Sequence, residues 1–361
     1  MLKSAAPQWC SRDTHVVLST GGIVGSFAPT LEQAGYEILH LPFAKNFSFF
    51  RRLAALINEG SYDIVHIHTA RAAPIYAAVA GLMVRNRPVV FRTVHHLFRF
   101  DGLLRVRKKL ERKLMKHLLG VRFLSNSPSG MRNERRRYGM SNTYAPNWYD
   151  SDLFTPPTDE DARKARAGLG WPEDLTVFVS LGGNWFYKNY DRIVRALALI
   201  PEEHHILYVQ IGVQGKGSPL ERLAEYLGVQ HRLQCTGVVN DILPMLWAAD
   251  AYLMPSSEEG FGIAAVEAMA AGTPAILGNV EALTDFKETV EGIRYVEPET
   301  DAIAGAMTEF VELGRPELRE LGLIQAKNVK AHYGLETAPR IYQQAWSEAC
   351  LSASATTTSV P

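Results

Sequence analysis

Cysteine is scarce in this chain: Cys10, Cys235 and Cys350 are the only three in 361 residues, and none stands in a C-x-x-C pair. That leaves no disulfide framework and no cysteine-built zinc site, and points to a reducing compartment. No apolar run approaches the roughly 18 residues needed to span a bilayer. The first twenty residues lack a signal-peptide core. The expected location is therefore cytoplasmic, with any membrane contact peripheral and on the inner face. An excess of charge is absent too, since 38 basic residues balance 38 acidic ones, which removes any global argument for a nucleic-acid partner.

A composition that is 47% hydrophobic, over 361 residues, suits two globular domains better than one core. Short β-branched runs alternate with helical patterns, the signature of parallel sheets flanked by helices. Strands are expected at 15–20, 36–42, 63–68, 89–95 and 121–127, then at 176–182, 206–212, 232–237, 251–255, 274–279 and 292–297. Pro146-Asn147 through Pro156-Pro157 interrupts both periodicities. The division that follows is a first domain over 1–145, a second over 158–335, a helix over 336–350 and a disordered tail over 351–361.

The most informative stretch is MPSSEEGFGIAAVEAMAAGTP, residues 254–274, in which Glu259 and Glu267 are separated by a Gly-hydrophobic-Gly turn and a helix start. A strand feeding a turn that opens a helix near Gly262 brings together the backbone N–H groups of Gly260, Phe261, Gly262 and Ile263, where anions bind. Glu259, before the helix, can accept hydrogen bonds from sugar hydroxyls. Glu267, inside it, can chelate a ribose diol with two carboxylate oxygens. The pattern suits a sugar nucleotide.

With these residues in place, the chain resembles the retaining glycosyltransferases of family 4. The resemblance rests on Glu259 to Glu267 as an E-x₇-E element and on VSLGGNWFYKNYDRIVRAL (179–197). It extends through 206–229, 235–256 and YAPNWYDSDLF (144–154). It implies a GT-B fold of two Rossmann-like domains, with a nucleoside-diphosphate sugar as donor substrate and neither a metal nor a cofactor. The implied acceptor is a glycan or a lipid-linked acceptor in surface polysaccharide or lipopolysaccharide assembly. It also implies that Lys188, with Gly183 and Asn184 in the same loop, stabilises the leaving diphosphate. The family's Arg-x₄-Lys loop has an arginine where this chain has Gly183. His95, with His96 as its rival, matches the histidine that faces the transferred sugar. Glu259, His95 and Lys188 are thus the expected catalytic residues, and Glu267 the main donor-binding one. Two other readings stand beside this one: a sugar-nucleotide-binding protein without turnover, and a GT-B phosphorylase or epimerase.

Three further features are expectations of their own. Asp150 and Asp152 form a D-x-D pair, discounted as a metal site because it lies between the domains; His66 and His68 share a strand face without a third ligand at metal spacing. Between Asp101 and Arg137 twelve basic residues face three acidic ones. Segment 103–137 therefore reads either as a surface for an anionic membrane or as a solvated basic helix with its leucines in the core. Finally, Gly21-Gly22 stands closer to Asp63 than the family's first glycine loop does. The first domain is then expected to be short of its first strand and glycine loop, with the alternative that His15 to Thr20 is a central strand and Gly21-Gly22 the phosphate loop.

Overall fold

The computed structural model describes residues 1–69, 72–183, 185–212 and 217–357, and the chain divides into two compact units. The first comprises Met1–Trp148 together with Leu335–Pro361, the second Tyr149–Gly334.

The second unit is one six-stranded parallel sheet. In chain order its strands are β7 (Thr176–Leu181), β8 (Ile206–Ile211), β9 (Leu233–Gly237), β10 (Ala251–Met254), β11 (Ala275–Gly278) and β12 (Arg294–Val296), numbered after six in the first unit. They lie in the order β12-β11-β10-β7-β8-β9. The apolar runs bury both faces, because successive side chains point to opposite sides. Val177, Val179 and Leu181 join one core with Val209, Tyr252 and Leu277. Phe178, Tyr208, Leu253 and Ile276 join the other, under the helices Tyr190–Leu197 and Thr300–Leu313. The chain proceeds from β7 outward through β8 and β9, then returns to β10 on the other side of β7. Strand order therefore reverses between β7 and β10, and ligands of such sheets bind outside the carboxyl ends at that point.

The first unit contains β1 (Val16–Ser19), β2 (Glu37–His40), β3 (Ile64–Ile67), β4 (Val89–Val94), β5 (Arg122–Ser125) and the two-residue β6 (Thr143–Tyr144), which the sequence reading did not anticipate. Strands β3-β4-β5-β6 form one parallel sheet, while β1 and β2 pair only with each other among the described residues. Placing His15 to Thr20 at the centre of the sheet is therefore incorrect. In the loop that follows, Gly21 and Gly22 are exposed, and His40 Nε2 donates to the Gly21 carbonyl at 2.9 Å.

Helix Leu2–Trp9 precedes β1, and the terminal helix packs beside it. Trp9 meets Trp346 at 4.9 Å between ring centroids, and Tyr342 donates from its hydroxyl to the Ala145 carbonyl at 2.9 Å. This last helix spans Ala338–Thr357, so 351–357 is helical and not the disordered tail expected; its aromatic anchors lie in the first half, and the Ser/Ala/Thr stretch extends the helix from there. Residues 358–361 of that expected tail lie outside the described residues.

The basic helix Gly102–His117 inverts one of the two readings of its sequence. Leu103 is 89% exposed and Leu118 at the C-cap 69%, with Val106, Leu110 and Leu114 also outward. Arg112 and Met115 are the residues buried beneath it. Arg112 enters the core because Glu134 meets it as a bidentate partner, Nε to Oε2 at 2.7 Å and Nη2 to Oε1 at 3.0 Å. The ring of Tyr138 lies 3.9 Å from the guanidinium carbon. A buried charge is tolerated only when it is paired in this way.

Candidate functional site

The expected site residues divide between the two units, and those of the second converge on the loops after β7 and β10. Strand β7 ends at Leu181, and Gly182 follows at φ +125, a conformation that L side chains rarely adopt. A Cβ at Gly212, after β8, would come within 3.0 Å of the Gly182 carbonyl oxygen, so these loops touch through backbone alone. A tight turn, Phe186–Lys188, then delivers Lys188.

Three bonds clamp that turn against the loop after β10. Asn189, held in the left-handed region at φ 57, donates from Nδ2 to the Pro255 carbonyl at 2.8 Å. The Ser257 amide donates to the Tyr187 carbonyl at 2.8 Å. Lys188 Nζ donates to Glu259 Oε1 at 2.5 Å, an ion pair whose side chains are both largely shielded. From the other side Gly278 permits the approach of β11, since a Cβ there would stand 2.4 Å from the Ser256 carbonyl oxygen.

Helix Ile263–Ala270 opens from Gly262, whose φ of +89 swings the chain out of the turn. Gly260, Phe261 and Gly262 are buried, and among the described residues their amides and those of Ile263 and Ala264 donate to no protein acceptor. A helix start with unpaired amides carries partial positive charge and favours an anion. Glu267 is half-buried within the same helix, and loss of solvent pushes its carboxyl up to about 7. Among the described residues its carboxylate accepts no hydrogen bond, so hydroxyl donors would stabilise the charged form. Gly183 belongs to this loop, whereas Asn184 lies outside the described residues.

In the first unit His95 follows β4 and belongs to a cluster of three histidines. His68 Nδ1 and His95 Nε2 are hydrogen-bonded at 3.0 Å, and the rings of His66 and His68 stand 4.2 Å apart. His66 Nε2 meets Thr93 Oγ1 at 2.8 Å. Desolvation, with mutual repulsion added at His95, lowers both His68 and His95 to about 4, so each is neutral near pH 7. Of a neutral pair, one ring donates and the other accepts, which orients His95. His96 is exposed and packs edge-on to Phe98. No three His, Cys, Asp or Glu side chains among the described residues are grouped to hold a metal ion. Asp150 Oδ1 instead accepts from the amides of Asp152 and Leu153, both at 3.3 Å, which makes it a turn cap.

The sequence reading missed the partners in these contacts. The Lys188–Glu259 pair joins residues far apart in the chain, and the His68–His95 bond needs two strands in register; no spacing rule reveals either. Trp185 and Asn189 carried a weak signal in NWFYKN, a loop unusually rich in aromatics.

Comparison with known proteins places this geometry in a family. Residues 161–326 match the model for Glycosyl transferases group 1, and residues 15–153 match that for Glycosyltransferase Family 4. An uncharacterized glycosyltransferase of Methanocaldococcus jannaschii is 35% identical over 148 residues, 40% of this chain and 38% of that protein. The Escherichia coli UDP-Gal:alpha-D-GlcNAc-diphosphoundecaprenol alpha-1,3-galactosyltransferase is 27% identical over 269 residues, 70% of this chain and 66% of its own. The matches thus span 38% of the length of the first relative and 66% of that of the second. Among solved structures, Anabaena HepE in complex with UDP and glucose superposes with a TM-score of 0.80 at 18% identity, covering 96% of this chain and 94% of that one. At that identity the likeness shows the fold.

Proposed function

We propose that this chain, which belongs to the glycosyltransferases of GT-B fold through its Family 4 and group 1 domains, transfers a hexose from a nucleoside-diphosphate sugar to a glycan or lipid-linked acceptor. The observation that carries the reading is the joint placement of Lys188, Glu259, Glu267 and the unpaired amides of 260–264 where the strand order reverses. Departure of a diphosphate builds negative charge, and donors fixed in place beforehand stabilise it without reorganising. The amides and Lys188 supply those donors, Glu259 accepts from the sugar, and Glu267 holds the ribose diol. Retention of anomeric configuration follows the family pattern: the leaving phosphate takes the acceptor proton on the face it departs from, and His95, neutral, donates to the transferred sugar. The presence of a lipid-linked acceptor substrate in the name of the E. coli relative supports an acceptor of that class. The test is a thermal-shift screen of UDP-, GDP- and ADP-sugars, since a ligand of the native state raises the apparent melting temperature. It is followed by donor hydrolysis without acceptor; tight binding with no hydrolysis and no transfer would favour a binding protein, the reading that Gly183 in place of a cation supports.

Glu267 gives this site a pH signature. Its carboxyl is raised from 4.5 to about 7, so the stability that the neutral form contributes is fully present below 4.5 and is lost as pH rises through about 7. A diol donates to the carboxylate, so donor binding favours ionisation and releases a proton. Nucleotide-sugar affinity should rise between about pH 5.5 and 7.5, by at most about tenfold per unit, and flatten above. Calorimetry in buffers of different ionisation enthalpy should detect proton release at pH 6, and Glu267→Gln should abolish it. A pH-independent affinity in the unaltered protein would rule out this role.

The outward leucines of Gly102–His117, flanked by lysines and arginines, fit peripheral binding to an anionic membrane. Such a surface would bring the enzyme to a lipid-linked acceptor on the cytoplasmic face.

A further inference from the structure

The donor-site reading leaves a shortage of positive groups. Lys188 is the loop's one side-chain cation among the described residues, and Glu259 already holds it at 2.5 Å. Gly183 contributes no side chain. Between them stands Trp185, which is 61% exposed in spite of its size. Its backbone is fully committed: the amide donates to the Gly183 carbonyl at 2.9 Å, and its carbonyl accepts from the Lys188 amide at 2.9 Å. The indole N–H, by contrast, donates to no protein acceptor among the described residues. The ring folds back over the glycine, so that Nε1 would lie only 3.3 Å from a Cβ placed at Gly183.

We propose that Trp185 is a donor-binding residue whose indole N–H hydrogen-bonds a phosphate oxygen of the nucleoside diphosphate. It does from the next turn of the loop what a side chain at 183 would otherwise do. The inference rests on the donor-site reading above and adds one group to it. Indole is a donor without acceptor capacity, which suits a phosphate and offers nothing to a cation. The clamp of Asn189 on Pro255 and of Ser257 on Tyr187 holds the segment that follows Trp185, so little ordering is needed when a ligand arrives. A side chain at 183 and the indole compete for one space: a Cβ at 3.3 Å is tighter than ordinary contact. Gly183 and Trp185 therefore form a matched pair.

Calorimetric titration with UDP, inorganic pyrophosphate and uridine tests this, after UDP, GDP and ADP have been compared on the unaltered protein. Trp185→Phe keeps an aromatic ring and loses the N–H. It should weaken UDP and pyrophosphate about tenfold, the scale of one hydrogen bond to a charged group, and leave uridine unchanged. Trp185→Ala should do the same, and adding Gly183→Arg to Trp185→Ala should restore diphosphate affinity. Wild-type UDP affinity in Trp185→Phe would overturn the proposal, as would equal loss for UDP and uridine, which marks stacking on the base. A double variant no tighter than Trp185→Ala also counts against it. Glu267→Ala separates the two readings: if it weakens UDP while Trp185→Phe does not, only the tryptophan assignment falls. If the unaltered protein binds none of the three diphosphates, both fall.

Discussion

Lys188→Ala is expected to lower turnover by roughly a hundredfold or more, because a fixed cation at a developing diphosphate charge contributes on the order of 2.7 to 4 kcal/mol. The loss should fall mainly on kcat. In the ligand-free protein Lys188 Nζ lies 2.5 Å from Glu259 Oε1, so the ammonium is held in place before substrate arrives. An incoming phosphate would draw on that ammonium and leave Glu259 free to accept from a sugar hydroxyl. Removing Lys188 also strands a shielded carboxylate, which repels the diphosphate and adds to the loss. Glu259→Gln should likewise depress turnover more than donor affinity, and the two changes should be non-additive because the side chains touch. Initial rates of nucleotide release over a range of donor concentrations would separate kcat from KM. Lys188→Ala with unaltered kcat would remove the lysine from the mechanism. Chelator should leave the rate unchanged; loss restored by manganese would move attention to Asp150 and Asp152.

The parts of this molecule that were legible in its sequence are those encoded locally. Strands β7, β8 and β11 are short aliphatic or β-branched runs that end at a glycine, and composition together with that punctuation places them. The start of the helix at Ile263 was legible because Gly262 follows a strand and a polar turn and precedes an alanine-rich run. What stayed hidden depends on side-chain direction. The leucines of Gly102–His117 recur at helical intervals whether they face inward or outward, and only the burial of Arg112 against Glu134 settles which way the helix is turned. Glu134 sits 22 residues further on, with nothing in the sequence to announce the pairing. The placement of His15 to Thr20 as a central strand failed for a related reason: a glycine pair after a strand signals a turn, but where that strand lies in the sheet is a tertiary property. The three histidines show both sides. The alternation of His66 and His68 was visible, whereas the bond from His68 to His95 requires β3 and β4 to be neighbours.

Replacing Leu110 and Leu114 by Glu should reduce binding to anionic vesicles by about a hundredfold or more while leaving the fold intact. Both side chains are outward, so the folded chain loses little; exposed substitutions usually change stability by no more than about 0.5 kcal/mol. Insertion of a leucine into the headgroup boundary contributes at most about 1.5 to 3 kcal/mol, and each new carboxylate also repels an anionic surface. The basic residues beside them act differently. Arg107, Lys109, Lys113 and Lys116 attract the surface by about 1 kcal/mol each when close to it, and salt screens that attraction over roughly 10 Å at 0.1 M. Arg112 contributes nothing of the kind, since Glu134 neutralises it inside the core. Sedimentation with vesicles of phosphatidylglycerol and phosphatidylcholine should therefore show binding that weakens with salt but retains an apolar remainder, absent in the double variant. Arg135 and Arg136, both exposed, changed together to Ser should lower the salt-sensitive part alone, whereas Arg137 is tied to Asp101 and to the Phe100 carbonyl. Equal sedimentation of the unaltered protein and the leucine variant would mean that this face meets water, not lipid.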